Sequence, residues 1–229
     1  MRGLRILLII VVILGGLFVA ADRAAVYFAE SEIKDRIQIS GGSTESKDVS
    51  IKGFPFLTQV VSGGLDEVEV DLKGVSTTTS GHPTRISTMK IQLHDVKLAN
   101  GFTSATAARA TGKAVISYED LTKAADEEVS VAYGGNGKVK VTGTVAVMDR
   151  PVSRSVLSTV TLADGNVIRV HADKVPGEGI PGLEDLVRSK SDFNRTISGL
   201  PSGLNLEKVE VTPEGLEVSV SGTDVRLAG

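Results

Sequence analysis

Residues 67–73 read EVEVDLK, a strict alternation of charged and apolar side chains. Successive side chains of a β-strand point to opposite faces, so this pattern predicts a strand with one buried and one solvated face. Val68, Val70 and Leu72 are expected on the buried face. A strand that keeps one wet face is typical of an antiparallel sheet, and this stretch therefore sets the fold class that the rest of the chain must fit.

A second alternating segment covers residues 86–98, with apolar positions at Ile91, Leu93, Val96 and Leu98. We expect Ile91 and Leu93 to face the same interior as the first strand. The phase of the alternation changes between Leu93 and Val96, which predicts a β-bulge near His94-Asp95.

Turn-bounded apolar segments continue to the end of the chain, and no βαβ rhythm interrupts them. Helical spacing appears in three places: Asp22–Gln38, the segment after Ser117, and the segment after Pro181 that contains Leu183, Leu186 and Val187. The predicted fold class is α+β and β-rich, with long antiparallel strands and three helical segments.

An unbroken apolar run from Ile6 to Ala21 follows Arg2 and Arg5. As a helix it would be about 24 Å long, short of a hydrocarbon core of roughly 30 Å. It is either a signal peptide cleaved after Ala21 or a signal anchor that continues into the next helix. The arginines predict an N-terminus in the cytoplasm. We therefore expect residues 1–21 to be the signal peptide or anchor, and residues 22–229 to form one β-rich domain in the periplasm or at the cell surface.

The composition argues against several classes of function. A net charge of −3 and the absence of Trp do not favour nucleic-acid binding, and the absence of Cys excludes thiol nucleophiles and thiolate metal sites. His82, His94 and His171 are far apart and form no zinc motif. No nucleophile elbow, phosphate-binding loop or convincing dinucleotide fingerprint occurs. We expect no catalytic residues, no cofactor and no metal.

The segment Phe54-Pro55-Phe56-Leu57 holds two of the six Phe residues of the chain. Pro55 cannot donate to a sheet ladder, so this apolar knot is expected to project from the sheet rather than extend it. Two uses stay open: the knot plugs the end of the core, or it contacts lipid or lines an apolar groove.

The chain resembles the LmeA family of actinobacterial phospholipid-binding envelope proteins. Three places carry the resemblance: Asp22-Arg23-Ala24-Ala25 entering a helix after the export segment; GFPFLTQ at residues 53–59 with the following strand; and LPSGL at residues 200–204 with VEVTPEGL at residues 209–216.

The resemblance implies a fold similar to tubular lipid-binding proteins, in which a long curved antiparallel sheet wraps an amphipathic helix and leaves a groove for acyl chains. It implies phospholipid as the partner, a role in envelope lipid or lipoglycan maturation, and no transferable catalytic residues. From it and from the apolar segments, we expect the lipid-binding residues to be Phe54, Pro55, Phe56, Leu57, Leu183, Leu186 and Val187. The alternatives are a scaffolding envelope protein whose interior is filled by its own side chains and, third, an enzyme acting on a lipid-linked glycan.

Overall fold

The computed structural model describes residues 2–37, 42–79, 82–99, 104–125, 129–147, 150–173, 192–197 and 200–228. Within these ranges the chain forms two antiparallel sheets and three helices. The predicted class, a β-rich α+β fold in which a curved sheet wraps an amphipathic helix, is confirmed.

Helix α1 spans Arg2–Arg36 without a break. Its apolar part up to Ala21 is exposed along its length, and by length and composition it meets the criteria of a membrane span, which signal sequences also meet. The remaining part packs against the larger sheet through apolar side chains that include Val26, Ile33 and Ile37. The helix predicted from Asp22 onward is therefore the direct continuation of the apolar segment.

The larger sheet has seven strands, and its edge-to-edge order is β1-β3-β4-β5-β12-β11, with β2 also paired to β3. Their bounds are Gly42–Ser43 (β1), Ser46–Lys52 (β2), Gly64–Thr79 (β3), His82–Ala99 (β4), Ser104–Ile116 (β5), Leu204–Thr212 (β11) and Gly215–Ala228 (β12). Helix α2, Phe56–Ser62, lies between β2 and β3 in the chain.

The smaller sheet has five strands in the order β10-β9-β8-β7-β6. Their bounds are Val129–Gly135 (β6), Lys138–Val147 (β7), Arg150–Ala163 (β8), Val167–Ala172 (β9) and Phe193–Thr196 (β10). Helix α3, Tyr118–Ala124, connects the two sheets along the chain. Strands β6 and β7 form one hairpin around Gly134–Gly137, and β8 and β9 form a second around Asp164-Gly165.

The inner face of the larger sheet is apolar across five strands. Strand pairing aligns three rows: Leu72, Met89, Ala114, Val218 and Val209; Val70, Ile91, Gly112, Val220 and Leu206; and Val68, Leu93, Ala110, Gly222 and Leu204. The prediction that Val68, Val70, Leu72, Ile91 and Leu93 share an interior is confirmed. Helix α1 contacts β2, and its Val26 belongs to one buried cluster with side chains of β2, β3, β4, β5 and β12, so the core lies between the helix and this face of the sheet.

The sheet changes the phase of its alternation along one line that crosses four strands. Asp95 in β4 and Asp224 in β12 both have φ 51°. Buried positions on either side are three residues apart, as in Leu65 and Val68 or Leu93 and Val96. The irregularity predicted near His94-Asp95 is present, but pairing with β3 and β5 continues without a register shift, so no single strand carries an extra residue as in a β-bulge.

The buried carboxylate of Asp120 ties α3 to the larger sheet. It accepts hydrogen bonds from the hydroxyls of Ser117 (2.7 Å) and Ser87 (2.9 Å) and from the Arg85 guanidinium (3.2 Å). Burial alone would raise the pKa of the Asp120 carboxyl, but these hydrogen bonds and the Arg85 charge hold the pKa below its usual value. The carboxylate is therefore ionised in the folded protein at neutral pH.

Replacing Val70, which is buried under α1, with Asp should destabilise the domain severely. An unpaired buried carboxylate costs on the order of 3–5 kcal/mol, and Val70 is 9% exposed. Chemical denaturation of the full-length chain in detergent measures the change. The control is Asp71→Ala on the charged face of the same strand, expected within about 0.5 kcal/mol of the parent. Equal effects of the two changes would contradict the assigned faces.

Replacing Asp120 with Asn should lower stability at pH 7 by about 2 kcal/mol, since hydrogen bonds to a charged group are lost. The folded pKa is depressed, so this stabilisation is complete above the unfolded value of about 3.9 and is lost as pH falls through the folded value. Melting curves from pH 7 to pH 3 should therefore show the difference between the two proteins shrinking at the acid end. Glu119→Gln, an exposed position on the same helix, should show no such convergence.

Candidate functional site

The Phe54–Leu57 knot turns the chain sharply between β2 and α2. Gly53 has φ 95°, the Phe54–Pro55 peptide is cis, and α2 starts at Phe56. A Cβ at Gly53 would meet the Gln59 amide nitrogen and, at 2.7 Å, the Asp66 carboxylate, so only glycine fits there. The expectation that the knot leaves the sheet is confirmed, since the chain turns from the end of β2 into a helix.

The first turn of α2 is capped by a residue from another helix. Pro55 at its N-cap offers no side-chain hydrogen bond, and the carboxylate of Asp22 in α1 accepts instead from the Leu57 N–H at 2.9 Å. Asp22 is 0% exposed, and its second oxygen accepts from the Arg23 guanidinium at 2.6 Å. Free N–H groups at a helix start need acceptors, so this carboxylate stabilises α2 and fixes it to α1.

Two further polar contacts hold α1 along the edge of the larger sheet. Glu30 accepts from the Ile51 N–H at 2.7 Å, and the Lys47 ammonium donates to the Ile37 carbonyl at 2.6 Å. The Glu30 carboxylate thereby provides an acceptor for a backbone N–H of β2 on the side away from β3. Without it this N–H would be unpaired, as backbone groups of an edge strand otherwise are. Together with Asp22, these contacts fix α1 against the sheet along its whole docked part.

The buried amide of Gln59 joins both ends of the knot. Its oxygen accepts from the Asp66 N–H at 2.9 Å and its nitrogen donates to the Lys52 carbonyl at 3.4 Å. Lys52 ends β2 and Asp66 lies near the start of β3, so one side chain bridges the two strands that flank α2.

The two phenylalanines of the knot have opposite environments. Phe56 is 6% exposed and belongs to the core cluster under α1, with Leu57 packed partly against it. Phe54 is 58% exposed, and the Arg23 guanidinium lies over its ring, 5.3 Å from the centroid. Of the two uses expected for the knot, the core plug is present in Phe56, whereas most of the Phe54 ring is exposed and its contact with lipid stays a prediction.

The apolar interior continues beyond the part that α1 covers. A second core cluster, Val139, Val141, Val156 and Ala172 of the smaller sheet, includes Val211 of β11 among the side chains packed against it. Between the two clusters lie Ala114, Val209, Val218 and Val220, which are half-buried. In the described part of the chain these four residues belong to neither cluster. We call this group of four residues the interior gap.

One polar group lies within this apolar surface. Ser158 of β8 is fully buried and is aligned with Val139 and Ala172 on the neighbouring strands. Its hydroxyl finds no hydrogen-bond partner in the described structure. Burying an unpaired hydroxyl is unfavourable, so Ser158 is a point of local destabilisation in this part of the core.

A cavity of about 610 Å³ lies on the opposite, charged face of the larger sheet. Its charges are paired: Lys90 with Asp71 at 3.9 Å, Lys113 with Glu217 at 2.8 Å, and Lys208 with Glu210 at 2.7 Å. The hydrogen bond to Glu217 raises the pKa of the Lys113 ammonium. Paired, hydrated charges do not suit an acyl chain, and the cavity is not assigned to lipid.

Of the predicted site residues, the structure brings Phe54, Pro55, Phe56 and Leu57 together at the α1–α2 contact. Leu183, Leu186 and Val187 lie outside the described residues. Sequence reasoning missed α2 and the capping role of Asp22. Pro55 before an apolar segment and Gly63 after it are typical helix boundaries and were the available signal for α2. Among described residues, no group of three acidic or histidine side chains could hold a metal ion.

Comparison with known proteins adds one finding. No curated protein and no solved structure matches the chain. A family model described as LmeA-like phospholipid-binding matches residues 20–221, which include α2, α3, the docked part of α1 and both sheets apart from the end of β12. The match spans most of the chain, and the chain therefore belongs to the LmeA-like phospholipid-binding family.

Proposed function

We propose that this is an exported, non-catalytic envelope protein that binds phospholipid with its acyl chains in the apolar interior between the two sheets, and that this binding supports envelope lipid or lipoglycan maturation. The interior gap is the observation that carries the proposal. Its four half-buried side chains extend the apolar rows beyond the cover of α1, as a groove wall would.

The energetics suit such a ligand. Removing an acyl chain from water is favourable by about 0.8 kcal/mol per CH₂. A groove lined by Val, Ala and Leu needs only a few polar groups to fix the ligand. No step of this binding needs a metal.

The proposed lipid contacts are the knot, Phe54, Pro55, Phe56 and Leu57, and the apolar positions Leu183, Leu186 and Val187. The exposed ring of Phe54 supports a direct contact, while Phe56 and Leu57 would act by holding the knot in place. The helical spacing of the other three residues supports a second wall of the groove.

The proposed location is the cell membrane, with the folded domain on its extracytoplasmic side. The continuous helix α1 supports a retained anchor, and Arg2 and Arg5 before the apolar run support this orientation.

Filling the interior gap should displace lipid without unfolding the protein. Val218→Phe adds bulk to the half-buried inner face, whereas Ser219→Phe adds it to the opposite face of the same strand. Mass spectrometry of lipids extracted from the purified full-length chain should show phospholipid in the parent and in Ser219→Phe, and about tenfold less in Val218→Phe.

The melting temperature of each variant reports whether it is folded. Folded Val218→Phe with a normal phospholipid content would contradict the groove assignment. A parent protein that retains no phospholipid in any membrane extract would favour the scaffolding alternative, in which the protein fills its own interior.

Substitutions of the two knot phenylalanines should have different effects on stability and on lipid binding. Phe56→Ser should lower stability by about 3–5 kcal/mol, because it truncates a buried ring. Phe54→Ser should leave the melting temperature nearly unchanged and reduce the phospholipid recovered with the protein. Thermal melting and lipid extraction on the same preparations provide both readouts. A stable Phe54→Ser variant with full lipid content would show that this ring does not contact the ligand.

A further inference from the structure

The large apolar side chains that are most exposed in the folded body lie on two elements that contact each other, α1 and the segment formed by the knot and α2. Beyond Ala21, Val61 is 88% exposed, Tyr27 and Phe28 are each 70% exposed, and Phe54 is 58% exposed. The other exposed large apolar side chains of the described body are less open: Leu157, Tyr133 and Leu227, at 37–42%. The four most exposed residues lie on α1 just after its apolar run, or on the knot and α2.

These four residues are held rigidly next to the apolar part of α1. Phe54 packs on Arg23, and the start of α2 is bonded to Asp22, the first residue after the run. Tyr27 follows Ala21 by about 9 Å along the same helix. Tyr27 and Phe28 point away from the sheet, because Val26 and Ala29 occupy the docked face.

The length of α1 places this cluster at a defined depth. The apolar run of about 24 Å is shorter than a hydrocarbon core of roughly 30 Å. The next four residues would supply the missing length of about 6 Å. Asp22 and Arg23 both lie in that stretch. They form an ion pair at 2.6 Å in which Asp22 is buried, and the half-exposed Arg23 side chain can extend towards the headgroups. Tyr27 and Phe28 then lie just beyond the hydrocarbon boundary, where aromatic side chains are enriched.

We infer that Tyr27, Phe28, Phe54 and Val61 form a membrane-facing corner that rests in the interfacial layer of the bilayer that α1 enters. The inference rests on the proposed retention of α1 as an anchor. Because α1 is continuous and α2 is bonded to it, the domain stands on the membrane in one orientation rather than hanging from a flexible linker. Arg23 is neutralised by Asp22, so the contact is apolar and does not require anionic lipid.

Single-Trp variants test the corner directly, because the chain contains no Trp. Phe28→Trp, Phe54→Trp and Val61→Trp place one fluorophore each in the corner, and Leu157→Trp is the exposed control on the smaller sheet. The full-length variants are reconstituted into phosphatidylcholine nanodiscs with lipids brominated either near the headgroup or deep in the acyl chain. We expect at least twofold quenching of the three corner positions by the shallow bromines, less by the deep ones, and none at Leu157→Trp.

The inference would be overturned if the Trp emission at the corner positions were quenched no more than that of Leu157→Trp. Quenching at only one of the corner positions would also overturn it. Intact mass of each preparation shows whether α1 is retained, and a cleaved chain that is not quenched also overturns it. The lipid content of the same proteins is measured separately by extraction. Quenching without retained phospholipid would support the membrane-facing corner and contradict the lipid-binding groove. Retained phospholipid without quenching would support the groove and contradict the corner.

Discussion

The buried carboxylate of Asp22 in α1 accepts hydrogen bonds from the Leu57 N–H of α2 and from the guanidinium of its neighbour Arg23, and it thereby joins the two helices at one point. Helix α2 has seven residues and an N-cap proline without a capping side chain, so it depends on this external acceptor. The bond directs Phe56 into the core and leaves Phe54 outside against Arg23. Without Asp22, the Leu57 N–H would lose its acceptor and the knot would lose its fixed position relative to the helix.

Helix α1 also determines which part of the inner face of the larger sheet is covered. Val26 and Ile33 of α1, and Ile37 directly after it, pack on the cluster that contains the buried side chains of β2 to β4. On β12 and β11 the same rows continue with side chains that are half-buried, except for the buried Leu206. A wall that stays apolar after its covering helix ends is unfavourable in water unless something else lies against it. The shared irregularity at Asp95 and Asp224 lets four strands change phase together, so the apolar rows stay continuous across the sheet.

Much of this architecture could be predicted from sequence, because alternation in segments such as Glu67–Lys73 is local information that survives folding. The hairpins at Gly134–Gly137 and Asp164-Gly165 are likewise encoded in a few residues. The sequence shows that the knot is apolar, but it does not show that Phe54 is exposed and Phe56 is buried. The two differ because the carboxylate of Asp22, more than thirty residues away in the sequence, fixes the turn between them. Helix α2 escaped prediction for the same reason, since its stability depends on a tertiary contact and not on its seven residues.

The continuity of α1 bears on the two interpretations of the N-terminal segment. A signal peptide is cut after a small-residue site, here after Ala21, whereas Ala21 and Asp22 are helical and Asp22 is enclosed by α2 in the folded protein. Cleavage of the N-terminal segment would therefore have to occur before α1 docks on the sheet. Every contact that accelerates docking then favours retention of this segment. The bonds that Asp22, Glu30 and the Ile37 carbonyl make with α2 and β2 all form at this step, so the contacts that fix the knot also keep the backbone after Ala21 helical in the folded protein.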